Sequence, residues 1–365
     1  MNRIRVLVVD DSIVVRRVVT EELEAQADME VAGTASTGRI ALEKMAQLNP
    51  DLVILDIEMP EMDGLTALDH LRNSHPKTPV IMFSSLTELG AAATLEALSR
   101  GASDFFAKPG GPGGLEASRQ VIRDELIPSI RTLCAKKSAT PVVRSGGLDS
   151  KNPARPVPNH RGTSSPAQNH YGPIEILAIG ASTGGPNALA EIFTLLPPNL
   201  PVPIVVVQHM PPMFTQMLAE RLSKTSQIPT VEAQSGMELQ PGKAWIAPGD
   251  YHMILVREGT RICTRIQQGA PENACRPAVD PLFRSVADIY RNRCLAMVLT
   301  GMGQDGLKGC EAIRAAGGQI LVQDEATSVV WGMPGFVTRA GLADRVLPLP
   351  MLAGEIQRRI RGGRD

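Results

Sequence analysis

The sequence predicts an α/β protein of two tandem units, each a parallel sheet covered by helices, on three observations. Short β-branched runs alternate with longer amphipathic stretches from Ile4 to Cys134. The apolar periodicity then lapses between Ala135 and Gly172, and a second alternating region starts at Ile174 and runs to the end. In the first region five strands are expected: Arg5–Val9, Glu30–Ala35, Leu52–Leu55, Val80–Phe83 and Asp104–Ala107. Helical patterns lie between them, such as Ser12–Gln26, where Ile13, Val14, Arg17 and Val18 fall at helical spacing and Ser12 can cap the N-terminus.

The second region contains the buried-strand candidates Ile174–Ile179, Ile204–Val207, Leu295–Leu299 and Gln319–Val322. The stretch from Thr230 to Ile266, broken by Pro241-Gly242 and Pro248-Gly249, reads instead as short strands and turns forming an antiparallel extension. The expected division is a first domain over residues 1–134, a flexible linker over 135–172 and a second domain over 173–365. That second domain is expected to be a Rossmann-like, doubly wound sheet with the small antiparallel extension.

A chain of 365 residues exceeds what one core usually organises, at roughly 100–200 residues per domain. With 43% hydrophobic and 21% charged residues, each half can bury a core of its own. A net charge of -1 argues against nucleic acid or an anionic membrane as partner, because such domains carry a basic excess. Lys136, Lys137, Arg144, Lys151, Arg155 and Arg161 give the linker a basic tint, but no aromatic interleaves them before Tyr171 to stack a base. Cys134, Cys263, Cys275, Cys294 and Cys310 form no C-x-x-C pair, which fits neither a disulfide framework nor a zinc site, and a reducing cytoplasm is the expected setting. The N-terminus is read as neither signal peptide nor anchor, and no apolar run is long enough for membrane insertion.

In an open parallel sheet, functional residues collect beyond the carboxyl ends of the strands. Asp10 and Asp11 follow the first strand there, Asp56 the third, Ser84 the fourth and Lys108 the fifth. Converging carboxylates repel unless a divalent cation neutralises them, and hard oxygen ligands suit Mg²⁺. Lys108 supplies a fixed positive charge and Ser84 a hydroxyl for phosphoryl oxygens, so the cluster points to phosphoryl transfer. The bland alternative is that Asp10 and Asp11 cap a helix and Lys108 lies on the surface. Val-Val-Asp-Asp-Ser at 8–12, Leu-Asp-Ile-Glu-Met-Pro at 55–60, Met-Asp-Gly at 62–64 and Lys108-Pro109 resemble a two-component receiver domain. The resemblance implies a flavodoxin-like fold of five parallel strands, with Asp56 as phospho-acceptor. It also implies Mg²⁺ among Asp10, Asp11, Asp56 and the Glu58 carbonyl, and a switch pair at Ser84 and Phe105 beside Lys108.

The second region opens with the apolar run Ile174–Ile179, followed by Gly180-Ala181-Ser182-Thr183-Gly184-Gly185-Pro186. A strand passing through G-x-S-x-G into a helix is a nucleophile elbow, in which small residues permit the turn that lifts the Ser182 hydroxyl. A degraded dinucleotide fingerprint is the competing reading. It places Ser182 where pyrophosphate needs a glycine, and Gln208-His209 where an acidic ribose ligand belongs. His209 stands just past the strand Ile204–Val207, and Asp305 lies in the loop after Leu295–Leu299. All three side chains therefore sit beyond strand carboxyl ends as nucleophile, base and orienting acid, with backbone amides near Thr183 and Met302 as oxyanion donors. His70, His75, His160, His170 and His252 lack such placement. The order Ser, His, Asp differs from that of α/β-hydrolases, so the elbow does not by itself assign that fold.

Ile-Gly-Ala-Ser-Thr-Gly-Gly at 179–185, Gln-His-Met at 208–210, Ala-Pro-Gly-Asp at 247–250, Thr-Gly-Met-Gly-Gln-Asp-Gly at 300–306 and Trp-Gly-Met-Pro at 331–334 resemble the chemotaxis protein-glutamate methylesterase domain. With the receiver, the resemblance covers nearly the whole chain outside the linker. It implies hydrolysis of glutamyl methyl esters on chemoreceptors to glutamate and methanol, deamidation of receptor glutamines, no cofactor for the hydrolysis, and a chemotaxis histidine kinase as phosphodonor. The expected coupling is a receiver that covers Ser182 until Asp56 is phosphorylated. A DNA-binding output domain is disfavoured by the near-neutral charge, and a noncatalytic module leaves Ser182, His209 and Asp305 unexplained.

Overall fold

A computed structural model describes residues 3–85, 87–108, 114–135 and 173–362. The expected linker lies outside these residues except for Ala135, which ends a helix. In the first region β1 (Ile4–Val9), α1 (Ile13–Glu24), β2 (Met29–Ala35), α2 (Gly38–Leu48), β3 (Leu52–Asp56), α3 (Gly64–Ser74), β4 (Val80–Ser84), α4 (Glu88–Ser99) and β5 (Asp104–Ala107) alternate. Then follow α5 (Gly114–Val121), a π-helical turn at Ile122–Leu126, and α6 (Ile127–Ala135). Ser12 caps α1 through its hydroxyl, as expected, and Asp56 and Ser84 end their strands rather than follow them.

The second region contains β6 (Ile176–Ala181), α7 (Gly185–Leu195), β7 (Ile204–Gln208), α8 (Phe214–Thr225), β8 (Thr230–Glu232), β9 (Ala244–Ile246), β10 (His252–Glu258) and β11 (Arg261–Gln267). It continues with α9 (Val279–Tyr290), β12 (Cys294–Val298), α10 (Leu307–Ala315), β13 (Gln319–Gln323), α11 (Met333–Arg339), β14 (Arg345–Leu347) and α12 (Leu349–Ile360).

Among the described residues, the first sheet is parallel in the order β2-β1-β3-β4-β5 and the second is parallel in the order β14-β13-β12-β6-β7-β9-β8. Among the described strands, β10 and β11 are the pair that runs antiparallel. The stretch expected to be antiparallel therefore divides: β8 and β9 join the parallel sheet beside β7, and the hairpin alone makes the extension. The central strands are buried along their whole length, as a sheet covered on both faces requires.

Strand order turns back on itself between β1 and β3 in the first sheet and between β6 and β12 in the second. Each reversal leaves a crevice at the strand ends, because the flanking helices run to opposite faces. One apolar cluster continues from the first sheet into the second, through Leu95 and Leu98 of α4 toward Leu189 of α7 and Leu218 of α8. The two sheets thus share packed surface, and the β5 end of the first comes to lie against the β6–β7 end of the second.

Candidate active site

In the first crevice Asp10, Asp11 and Asp56 offer carboxylate oxygens within 4.8 Å of one another. Lys108 Nζ lies 2.6 Å from Asp56 Oδ2 and 3.5 Å from Asp10 Oδ2, and the Glu58 amide donates to Asp56 Oδ1 at 3.2 Å. Burial pushes the Asp56 carboxyl up to about 6 against the opposing Lys108 bond. Hard oxygens gathered this closely, with only one ammonium among them, fit a small divalent cation. Ser84 is not turned toward this group: its hydroxyl donates to the Gly90 carbonyl at 2.9 Å. Phe105 stacks on Phe214 of α8, with ring centres 4.8 Å apart.

The second crevice is built at the β6–β12 reversal. Ser182 follows β6, and its amide donates to the Thr300 carbonyl beyond β12 at 3.0 Å. The elbow needs its glycines. Gly184 has φ 77, and a Cβ on Gly185 would lie 2.0 Å from Gln208 Oε1. Gln208, at the end of β7, donates from Nε2 to the Ser182 carbonyl at 2.9 Å, tying the elbow to the loop that carries His209. Thr300 completes the stitching, its hydroxyl donating to the Thr183 carbonyl at 2.9 Å.

His209 Nε2 pairs with Asp305 Oδ2 at 2.8 Å. Asp305 is 1% exposed and also accepts from the amides of Val279 at 2.6 Å, Asp280 at 3.1 Å and Gly306 at 2.9 Å. Val279 and Asp280 open α9, so a helix N-terminus faces the carboxylate. Burial alone would push Asp305 up, but the His209 bond and these amides hold it below the usual carboxylate range. Burial likewise pulls the His209 imidazole down, yet the Asp305 and Cys275 contacts outweigh it and raise its affinity for a proton. Ser182 and His209 line one crevice of about 700 Å³. Among the described residues His209 Nδ1 faces Cys275 Sγ at 3.4 Å and makes no hydrogen bond with the serine.

Of the expected oxyanion positions, the Thr183 and Met302 amides have no acceptor among the described residues. Their side chains, however, reach the first domain. Thr183 Oγ1 donates to Asp104 Oδ2 at 2.9 Å, and Thr132 Oγ1 of α6 lies 3.8 Å from Met302 Sδ. Strand-end reasoning missed Gln208, although it adjoins His209, and it missed Asn273, Cys275 and Asp280, which lie on a loop and a helix start. Asp104 begins its strand, where no such rule looks. His252 is buried as packing, its ring accepting from the Ala278 amide at 3.2 Å.

An acidic crevice of receiver type in one parallel sheet, and a serine elbow beside a histidine–aspartate pair in the other, define a response regulator with a hydrolase output. Residues 6–120 match the response regulator receiver domain and residues 177–356 match the CheB methylesterase family. A protein-glutamate methylesterase/protein-glutamine glutaminase of Trichodesmium erythraeum is 51% identical over 360 residues, covering 99% of this chain and 100% of that one. Its namesake from a Nocardioides species is 50% identical over 360 residues, covering 99% and 96%. The crystal structure of the Thermotoga maritima CheB methylesterase catalytic domain is 44% identical, covering 50% of this chain and 97% of that one with a TM-score of 0.49. The chain belongs to the protein-glutamate methylesterase/protein-glutamine glutaminase family.

Proposed function

We propose that this protein hydrolyses glutamyl methyl esters on chemoreceptors, releasing methanol, and deamidates receptor glutamines, under the control of phosphorylation at Asp56 by a chemotaxis histidine kinase. The observation that carries this reading is the His209–Asp305 pair at 2.8 Å in the crevice that Ser182 lines. In the proposed units, residues 1–134 are the receiver, 135–172 the linker and 173–365 the catalytic domain. Among the described residues no helix is long and apolar enough to cross a membrane, consistent with action from the cytoplasm on the receptors' inner portion.

Asp305 accepts from Nε2–H, which leaves Nδ1 of neutral His209 as the basic nitrogen. The ring exchanges its Cys275 contact for the Ser182 hydroxyl as substrate enters. Ser182 Oγ then attacks the ester carbonyl carbon while its proton passes to His209. The carbonyl oxygen becomes an oxyanion held by the Thr183 and Met302 amides, which have no acceptor among the described residues. As the tetrahedral centre collapses, the C–O bond to the methoxy group breaks and His209 gives that oxygen its proton. Water, deprotonated by His209, next attacks the acyl-serine and restores Ser182 and a free glutamate. With glutamine the leaving group is ammonia and the rest is unchanged. No cofactor is required for these steps.

In the receiver, Asp10, Asp11, Asp56 and the Glu58 carbonyl would hold Mg²⁺, which when bound neutralises charge during phosphoryl transfer to Asp56. Lys108, already 2.6 Å from Asp56, receives a phosphoryl oxygen, and Ser84 leaves the Gly90 carbonyl to bond another. Phe105 lies next to Asp104 on β5, and Asp104 grips Thr183. Movement of Ser84 and Phe105 would therefore loosen the cover over the crevice. Methanol release from methylated receptor membranes tests the chemistry. Ser182→Ala should reduce kcat by at least about 10⁴-fold, and undiminished release would remove Ser182 as nucleophile.

A further inference from the structure

The turn Glu272–Cys275 touches two members of the triad at once. Its ends pair as an isolated antiparallel bridge, with Glu272 N to Cys275 O at 3.1 Å and Cys275 N to Glu272 O at 2.9 Å. Between them Asn273 and Ala274 have φ 52 and 61. Two successive left-handed residues are the backbone of a type I′ turn, which asparagine accepts readily and alanine does not. A segment held in that conformation without glycine is over-determined by its contacts. Asn273 Nδ2 donates to Asp305 Oδ1 and to Asp280 Oδ2, each at 3.0 Å. Cys275 Sγ lies 3.4 Å from His209 Nδ1, and Glu272 anchors the turn to α9 through Arg284 at 2.6 Å.

Asp305 and Asp280 are each 1% exposed, so two buried carboxylates share one neutral amide. Its two N–H groups serve one carboxylate each, which neither a single hydroxyl nor a carboxylate can do. We propose that Asn273 is a positioning residue of the hydrolase: its amide ties Asp305 to Asp280, keeps both carboxylates satisfied and leaves Asp305 Oδ2 directed at His209. The same turn confines the imidazole from the other side through Cys275. This inference rests on the Ser182, His209, Asp305 reading. The ionisable groups around the bridge are His209, Asp280, Cys275, Cys310, Arg284 and Glu272.

The experiment measures kcat and KM for methanol release against pH, using the full-length chain and the variants Ser182→Ala, Asp305→Asn, Asn273→Ala and Asn273→Asp. Asn273→Ala should lower kcat on the order of 10- to 100-fold with KM unchanged. Asn273→Asp keeps the shape. When protonated it donates to one carboxylate, and when ionised it donates to neither, so its activity relative to wild type should fall as pH rises. Wild-type kcat in Asn273→Ala overturns the proposal, as does an equal loss in both Asn273 variants at every pH. Should the alanine variant fail to fold, the pH dependence of the aspartate variant decides alone. Retained turnover in Ser182→Ala or Asp305→Asn would instead sink the triad reading itself.

Discussion

At the residue scale, the crevice sets the protonation states that the proposed ester hydrolysis would use. Asp305 is held ionised by α9 amides and by His209, and it raises the imidazole in return. If His209 is the base that takes the Ser182 proton, only its neutral form serves, and the acid limb of kcat/KM should lie above the ordinary histidine range near 6.5. Asp305→Asn should move that limb to lower pH and reduce kcat about 10⁴-fold, read from a pH–rate profile. An unmoved limb would mean that Asp305 does not tune the base. The acidic crevice of the receiver works in the opposite sense. Burial raises Asp56 to about 6, so the folded state holds a proton between the ordinary carboxylate pKa and about 6, and its stability falls as pH rises through that window. Asp56→Asn should therefore be more stable than wild type at pH 7 by roughly 1–2 kcal/mol in urea unfolding, and should accept no phosphoryl group. The sequence exposes Ser182, His209, Asp305 and Asp56 because each stands near a strand's carboxyl end. It hides Asn273, whose role depends on two carboxylates distant in the chain.

At the element scale, the β6–α7 elbow is the most constrained piece of the site. A methyl group on Gly185 would meet Gln208 Oε1 at 2.0 Å, and Gln208 is the residue that ties the elbow to the His209 loop. Gly185→Ala should lose about 1–3 kcal/mol in urea unfolding and lower kcat with it, since the serine carbonyl loses its tether. Full activity and stability in that variant would show the elbow to be tolerant. In the first sheet β1, β3 and β4 are legible as short apolar runs rich in Val and Ile, whereas β5, Asp-Phe-Phe-Ala, is legible through its aromatics. The short strands β8, β9 and β14 carry no readable period at three residues each, and whether a strand pairs parallel or antiparallel is decided by its neighbour. That is why the stretch after α8 divides between sheet and hairpin.

At the scale of the whole molecule, the receiver forms one wall of the candidate active-site crevice. Asp104, Phe105 and Phe106 from β5 line it with Ser182 and His209, and Asp124 and Glu125 of the π-helical turn join them. The Asp104–Thr183 bond crosses between the units next to the proposed oxyanion position, and Arg221 of α8 donates to the Leu95 carbonyl of α4 at 2.9 Å. If this surface is the cover, Asp104→Ala should raise the methanol-release rate of the unphosphorylated chain several-fold and shrink the gain from a small-molecule phosphodonor. Removing residues 1–134 should raise the unphosphorylated rate further and abolish the response to phosphodonor. A truncated enzyme no faster than the intact one would exclude the cover.

Read alone, the sequence determined the two parallel sheets, their strand-end chemistry and the motifs shared with methylesterases. The sheets follow from local periodicity, the candidate positions from the rule that crevices open at strand carboxyl ends, and the methylesterase reading from the resemblance of the motifs. Only the tertiary structure decided which groups complete the site. The I′ turn lays Asn273 between Asp305 and Asp280, Cys275 faces His209 in place of the serine, and Asp104 reaches across to Thr183. None of these contacts has a sequence period, because each joins residues brought together by packing between loops, helix starts and separate sheets.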